Sequence, residues 1–254
     1  QLFRSSKINQ STTSILSDDS LRTHKNLFIS SATLVARAAI RGGLGYDLSL
    51  SITDDYLYRI EKVHTISAVQ QMLQEMAARI AREKIAPSAA LHDAQASYPL
   101  ENIRLLGENG LMGIEVPAEY GGAGMDPVAT VLAISEIAAA DAAHATILSV
   151  NNSLFCTALT LHGSEQHKQG ALRSVAEGRA IGAFALTEAH CGSDATAMRC
   201  RAERTADGQW RITGAKSWIT SGPVADWVIL FAVTDPAAGS RGISAFLIDT
   251  TRAG

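Results

Sequence analysis

The stretch Phe184-Ala185-Leu186-Thr187-Glu188-Ala189-His190-Cys191-Gly192-Ser193-Asp194 is where the chain changes character. Before it, apolar residues recur at three- and four-residue steps, the mark of helices with one buried face. From Ile181 onward, short runs rich in β-branched and aromatic residues are broken by turn residues, the mark of strands. These runs cover 184–187, 199–204, 210–220, 227–234 and 243–249, and Asp207-Gly208 between two of them signals a hairpin.

Upstream, Ile66, Val69, Met72, Leu73, Met76 and Ile80 share one helical face, with Glu75 and Arg79 spaced to pair on it. Pro87 ends or kinks that helix, and Pro99 opens a second, shorter one. Asp126 followed by Pro127 forms a helix start, with a carboxylate to accept first-turn N–H groups and a proline where no N–H is needed. Ser164 starts a further helix that Gly178 stops. The expected fold is therefore α+β: an all-α domain over 66–180, then an antiparallel barrel- or sandwich-like β-domain over 181–254. Residues 1–65 carry a net positive charge and no sustained periodicity, and read as an extension of uncertain structure. The Ser, Thr and Arg among the first 45 residues give it some likeness to an organellar transit peptide, against which stand Asp18 and Asp19.

Composition bounds the function. With 254 residues, 46% hydrophobic and 19% charged, the chain can bury a substantial core. A net charge of −3 argues against a general nucleic-acid binder. The most apolar run, 128–150, is interrupted by Glu136, Asp141 and His144, which suits helices packed in protein rather than a bilayer span. Cys156, Cys191 and Cys200 form no CxxC pair, so neither a disulfide scaffold nor a zinc ribbon is expected. His190 with Cys191 and Cys200 fits no standard zinc spacing, and no metal is expected. His144 reads as a packed or surface histidine.

Two segments carry candidate chemistry. In 184–194 a strand delivers Thr187 to its end, and a small-residue loop can turn backbone N–H groups and the Ser193 hydroxyl toward an anion, with Gly192 permitting close approach. Taken alone, a strand followed by a capped turn accounts for the same residues. The second, Trp218-Ile219-Thr220-Ser221-Gly222, offers a flat apolar face beside a hydroxyl at a strand end, which suits an isoalloxazine ring. Taken alone, a core tryptophan beside a solvent-facing threonine is the commoner reading of the same residues.

These segments, together with Gly113-Ile114-Glu115-Val116-Pro117-Ala118-Glu119-Tyr120-Gly121-Gly122-Ala123-Gly124 and Ser149-Val150-Asn151-Asn152-Ser153-Leu154, resemble the acyl-CoA dehydrogenase family in order and spacing. The likeness covers about residues 66–254, and the Ser-Val-Asn-Asn-Ser-Leu run resembles the short-chain, butyryl-CoA-type branch. Departures fall at Ala189, where the family usually has Pro, and at His190 and Cys191, where it has small residues.

The resemblance implies an FAD-dependent oxidoreductase that converts a short or branched acyl-CoA to the trans-2-enoyl-CoA and passes electrons to an electron-transfer flavoprotein. It implies that Phe184, Ala185, Leu186, Thr187, Gly192, Ser193, Trp218, Ile219 and Thr220 hold the flavin. Thr187 would bond the ring edge, Trp218 pack on the ring, Thr220 reach toward N5, and Ser193 also touch the acyl-CoA. The family's glutamate base lies in a C-terminal helical domain, expected beyond Gly254, so no catalytic residue is named and Glu188 is expected to be structural or partner-facing. A homotetramer is implied, cytoplasmic in a bacterium or in the mitochondrial matrix of a eukaryote, and not secreted. An oxygen-reactive relative (an oxidase or monooxygenase) and a non-catalytic fragment are the alternatives.

Overall fold

The computed structural model describes residues 21, 25, 58–60, 62 and 65–251. The expectations for the extension 1–65 thus lie almost wholly outside the described residues. Among these residues no helix is long and apolar enough to cross a membrane.

Thr65 caps helix α1 (Ile66–Ile80), whose buried face is Val69, Met72, Leu73, Ala77 and Ile80. Its charges pair differently from the expected Glu75–Arg79 bridge: Glu75 meets Arg59, and Arg79 lies 3.9 Å from Glu83. Both partners lie on the exposed side, where pairing is cheap to exchange. Pro87 neither ends nor sharply breaks the pattern. A π turn over Ala81–Ile85 runs into α2 (Ala86–Gln95), so the proline falls in a first turn that needs no N–H from it. Helix α3 (Leu100–Glu108) follows Pro99 as expected.

Asp126 caps α4 (Pro127–Ala140) by accepting from Ala129 N at 3.0 Å, and also accepts from Gln70 on α1. Helix α5 (Ala142–Ser149) is capped by Asp141 and runs through a second π turn, Val150–Cys156, into α6 (Thr157–His162). Ser164 and His167 cap each other's backbone at α7 (Glu165–His167), and α8 (Arg173–Ala176) leads to Gly178 in the left-handed conformation, φ 69°.

Among the described residues five strands follow: β1 (Gly182–Ala185), β2 (Arg201–Arg204), β3 (Trp210–Thr213), β4 (Trp227–Val233) and β5 (Ile243–Asp249). A helical half followed by a sheet half is the expected order. The sheet, however, is mixed and open rather than an antiparallel barrel or sandwich. Strands β2–β3 and β4–β5 are antiparallel, but β1 runs parallel to β4, and β2 meets β4 in parallel at Arg201–Val233. A parallel pair needs a long crossover, and the whole of 186–226 supplies it between β1 and β4.

Alternation along β4 and β5 divides the core. Ile229, Phe231, Ala245 and Leu247 pack on the helices around Phe155, Leu159 and Leu172. Leu230, Ala232, Phe246 and Ile248 face the other way, onto Trp210 and Ile212. A third, mainly helical cluster takes in Ala183 of β1.

Candidate active site

The end of β1 and the segment ahead of Trp218 are tied together. Ser217 N donates to Thr187 O at 2.9 Å, and the Lys216 ammonium donates to Leu186 O at 3.0 Å and to Glu188 Oε1 at 2.8 Å. Glu188, only 4% exposed, also accepts from Arg199 N at 2.7 Å and Cys200 N at 3.0 Å. Burial on its own would raise its pKa. The Lys216 ammonium and the two backbone N–H groups outweigh that and hold it below the ordinary carboxylate value.

The run expected as one strand over 210–220 is not one. β3 stops at Thr213, and Trp218, Ile219 and Thr220 stand in a turn. Gly214 (φ 152°) follows the last paired residue, and only glycine fits there, since any Cβ would lie 2.8 Å from Cys200 Cα and Sγ. Trp218 (φ 62°) and Ser221 (φ 63°) are left-handed, which costs about 1–2 kcal/mol per non-glycine residue. Ser221 Oγ meets Tyr98 Oη at 3.0 Å, which fastens the far end of the turn to the helical half. Trp218 is 91% exposed. Strained residues of this kind cluster at active sites, ligand clamps and switch regions.

Trp218, Ile219, Lys216 and Ala185 border a cleft of about 700 Å³, floored by Leu230 and Ile212. Of the residues expected to hold a flavin, Ala185, Trp218 and Ile219 are thus brought together. Phe184 points to the opposite face, its ring 5.0 Å from that of Phe231, so its side chain does not line the cleft. Leu186 and Thr187 reach the Trp218 segment through their carbonyls, while Gly192, Ser193 and Thr220 are not among the cleft's lining residues. A Cβ on Gly192 would meet open space, and among the described residues the N–H groups of Gly192, Ser193 and Asp194 make no internal hydrogen bond. They remain open to an anion.

The sequence reading does not include Lys216 or Tyr98, and it expects Glu188 to be structural or partner-facing, as its bonds here show it to be structural. The one available signal was a lysine two residues before the tryptophan in an otherwise strand-like run. Glu188, His190 and Cys191 bring ligating atoms within 4.8 Å of one another. Both Glu188 oxygens are already committed to N–H donors, one of them an ammonium, an arrangement that repels a cation.

The other motifs fall into place as scaffolding. Asn152 Oδ1 accepts from Ile114 N at 2.8 Å, and its Nδ2 donates to Leu111 O at 2.8 Å and Leu148 O at 3.0 Å. His144, 1% exposed, sits between the Asp141 carboxylate (Nδ1 to Oδ2, 2.5 Å) and the Asn102 amide nitrogen (3.1 Å to Nε2). That amide nitrogen can only donate, so Nε2 accepts and the proton lies on Nδ1. Burial would raise the Asp141 pKa, and the hydrogen bonds from the His144 ring and backbone outweigh it and lower the value.

The acyl-CoA dehydrogenase N-terminal domain model matches residues 67–179, and the acyl-CoA dehydrogenase middle domain model matches residues 183–254. The chain belongs to the acyl-CoA dehydrogenase family. It is 41% identical over 189 residues to an acyl-CoA dehydrogenase of Bacillus subtilis, covering 74% of this chain and 50% of that protein. The butyryl-CoA dehydrogenase structure from Megasphaera elsdenii superposes with TM-score 0.69 at 34% identity, over 74% of this chain and 49% of that one. A glutaryl-CoA dehydrogenase of Mycobacterium smegmatis, solved in complex with FADH2, superposes with TM-score 0.67 at 32% identity, over 73% and 46%. The chain spans about half the length of these family members.

Glu188 and Asp141 also set an acid limit. A carboxylate with a depressed folded-state pKa contributes stability above its unfolded pKa, near 4, and loses it as pH falls through the folded value. Urea midpoints are expected to be flat above about pH 5 and to drop toward pH 3. Glu188→Gln and Asp141→Asn should each remove up to about one proton's worth of that slope, and an unchanged slope in both variants would refute the assignment.

Proposed function

We propose that these residues form the flavin-binding part of an FAD-dependent dehydrogenase that oxidises a short or branched acyl-CoA to the trans-2-enoyl-CoA, as the first of its two domains (66–180) and the second (181–254) suggest. The observation that carries the reading is the exposed Trp218 ring, held on a strained turn above the cleft and tied through Ser217 to Thr187. Trp218 and Ile219 supply an apolar wall for the ring system. Thr187 and Thr220 would offer their hydroxyls to its edge, and the N–H groups at Gly192 and Ser193, unpaired among the described residues, would receive phosphate oxygens and the adjoining acyl-CoA. When bound, FAD would supply the two-electron acceptor that such an oxidation requires.

Family membership and the FADH2 found in the Mycobacterium smegmatis relative support the cofactor. The butyryl-CoA dehydrogenase likeness supports a short acyl chain. Glu188 is not the base that takes the α-proton, since both its oxygens are occupied and its affinity for a proton is lowered. Among the described residues no carboxylate lines the cleft, so the base is assigned to another part of the whole protein. An electron-transfer flavoprotein is the proposed electron acceptor and a homotetramer the proposed assembly, in bacterial cytoplasm or the mitochondrial matrix.

Titration of the purified whole protein, including the part that supplies the base, with FAD and then with anaerobic butyryl-CoA tests this reading. Uptake of FAD and bleaching of the flavin absorbance are expected. Rapid reoxidation by air would point to an oxidase or monooxygenase, and failure to take up FAD would sink the reading. Trp218→Gly should relieve backbone strain and leave stability equal or up to about 1 kcal/mol higher. It should also weaken FAD binding about three- to tenfold, the worth of one aromatic stacking contact.

A further inference from the structure

We propose that the buried Glu188–Lys216 pair is a positioning device for the flavin clamp, fixing the Trp218 turn against the end of β1. The inference rests on the flavin reading above. The pair joins three separate stretches of chain: 186–188 through Leu186 O and Glu188, the entry to β2 through Arg199 N and Cys200 N, and the approach to the turn through Lys216 itself. The Ser217 N to Thr187 O bond sits next to it and inherits its register. Both side chains are nearly inaccessible, Lys216 at 7% and Glu188 at 3%, and His190 Nε2 at 3.5 Å is the other charged or titratable side chain paired with the carboxylate.

A buried ion pair is a poor source of stability, because desolvating two charges offsets their attraction. What it supplies is geometry. The ammonium must sit where it meets both a carboxylate and a carbonyl, and the carboxylate where it meets two N–H groups at once. The strain at Trp218 and Ser221 makes such over-determination necessary, since an unanchored turn would relax out of the left-handed region and withdraw the ring. Lys216 also lines the cleft beside Trp218 and Ile219, so a shift of its stem reshapes the wall directly.

The test is the double variant Glu188→Gln/Lys216→Met, which removes both charges together and avoids leaving either one buried alone. Two quantities are read in the purified protein: the FAD dissociation constant, with the visible spectrum of the bound flavin, and hydrogen exchange at the Ser217 amide without FAD. The variant is expected to stay folded with a lower unfolding midpoint, since Leu186 O and one of the two N–H groups at Glu188 lose their partners, to exchange Ser217 at least tenfold faster, and to bind FAD at least tenfold more weakly with an altered spectrum. Lys216→Arg, which keeps the charge and donors, should recover part of the affinity. Parental exchange at Ser217, or FAD affinity within twofold of the parent, would overturn the positioning role. Should the double variant lose stability outright, exchange and affinity are read in Lys216→Arg and Glu188→Asp, where parental values overturn it equally. Failure of the parent itself to bind FAD would overturn the flavin reading, and the positioning role with it.

Discussion

Asn152→Ala is expected to lower the unfolding free energy by about 4 kcal/mol, enough to threaten folding at physiological temperature. The side chain makes three hydrogen bonds, all to backbone groups and all inside the core. Removing it leaves Ile114 N–H and the carbonyls of Leu111 and Leu148 without those partners, at about 1–3 kcal/mol for each buried group that finds no replacement. Leu111 and Ile114 are wholly buried, so water cannot take over. Asn152→Asp separates hydrogen bonding from volume. It keeps the size and the acceptor for Ile114 N–H but turns two donors into lone pairs facing carbonyls, and should be at least as damaging as alanine. Urea denaturation read by circular dichroism measures both. A loss under about 1 kcal/mol in either variant would refute the fastening role.

That role shows where sequence reading stops. The helix starts at Asp126 and Ser164 and the hairpin at Asp207-Gly208 were legible because each is decided within a few residues. The Ser-Val-Asn-Asn-Ser-Leu run was legible only as a likeness. The work of Asn152 depends on a loop 38 to 41 residues upstream that no local pattern locates. Glu188 and Lys216 are 28 residues apart and look like two unrelated surface charges until β1 and the 214–218 segment lie side by side. The 210–220 run failed as a strand for a similar reason. Its β-branched and aromatic residues suit a strand, but the chain leaves the sheet after Thr213 through a positive-φ glycine whose close approach to Cys200 is set by residues far away in sequence. The parallel β1–β4 pairing was missed because hairpin signals report only neighbours in sequence. Of the candidate site, the residue types were visible beforehand and the mechanical ties among them were not.

Those ties converge on the loop between α3 and α4, which belongs to both large core clusters. Leu111, Met112, Ile114, Ala123 and Met125 enter the helical cluster, while Val116 and Tyr120 enter the one beneath the sheet. The loop is knotted by Ala123 N to Gly113 O, Gly124 N to Val116 O and Met125 N to Ile114 O, at 2.8–2.9 Å. Any slackness here lets the helical half shift against the strands, and Tyr98 carries that shift to Ser221 and the Trp218 turn.

Gly122→Ala should therefore cost about 3 kcal/mol, at the upper end for overpacking. The new Cβ would lie 2.1 Å from Val116 O, 2.4 Å from Val116 Cβ and 2.6 Å from Gly113 O. Two of these are the carbonyls that accept from Gly124 and Ala123, so the clash is with backbone that cannot rotate away without breaking the knot. Gly170→Ala is the contrasting case. Its Cβ meets nothing within 4 Å, and the residue is helical, so alanine should add about 0.5–1 kcal/mol. Combining Gly122→Ala with Asn152→Ala decides whether the loop acts as one unit. If both substitutions spring the same structure, the second costs less than it does alone, and the double-mutant cycle should return a coupling of about 1–3 kcal/mol. Strict additivity would mean that Asn152 and Gly122 hold independent pieces of chain, and that the loop transmits nothing between the two cores.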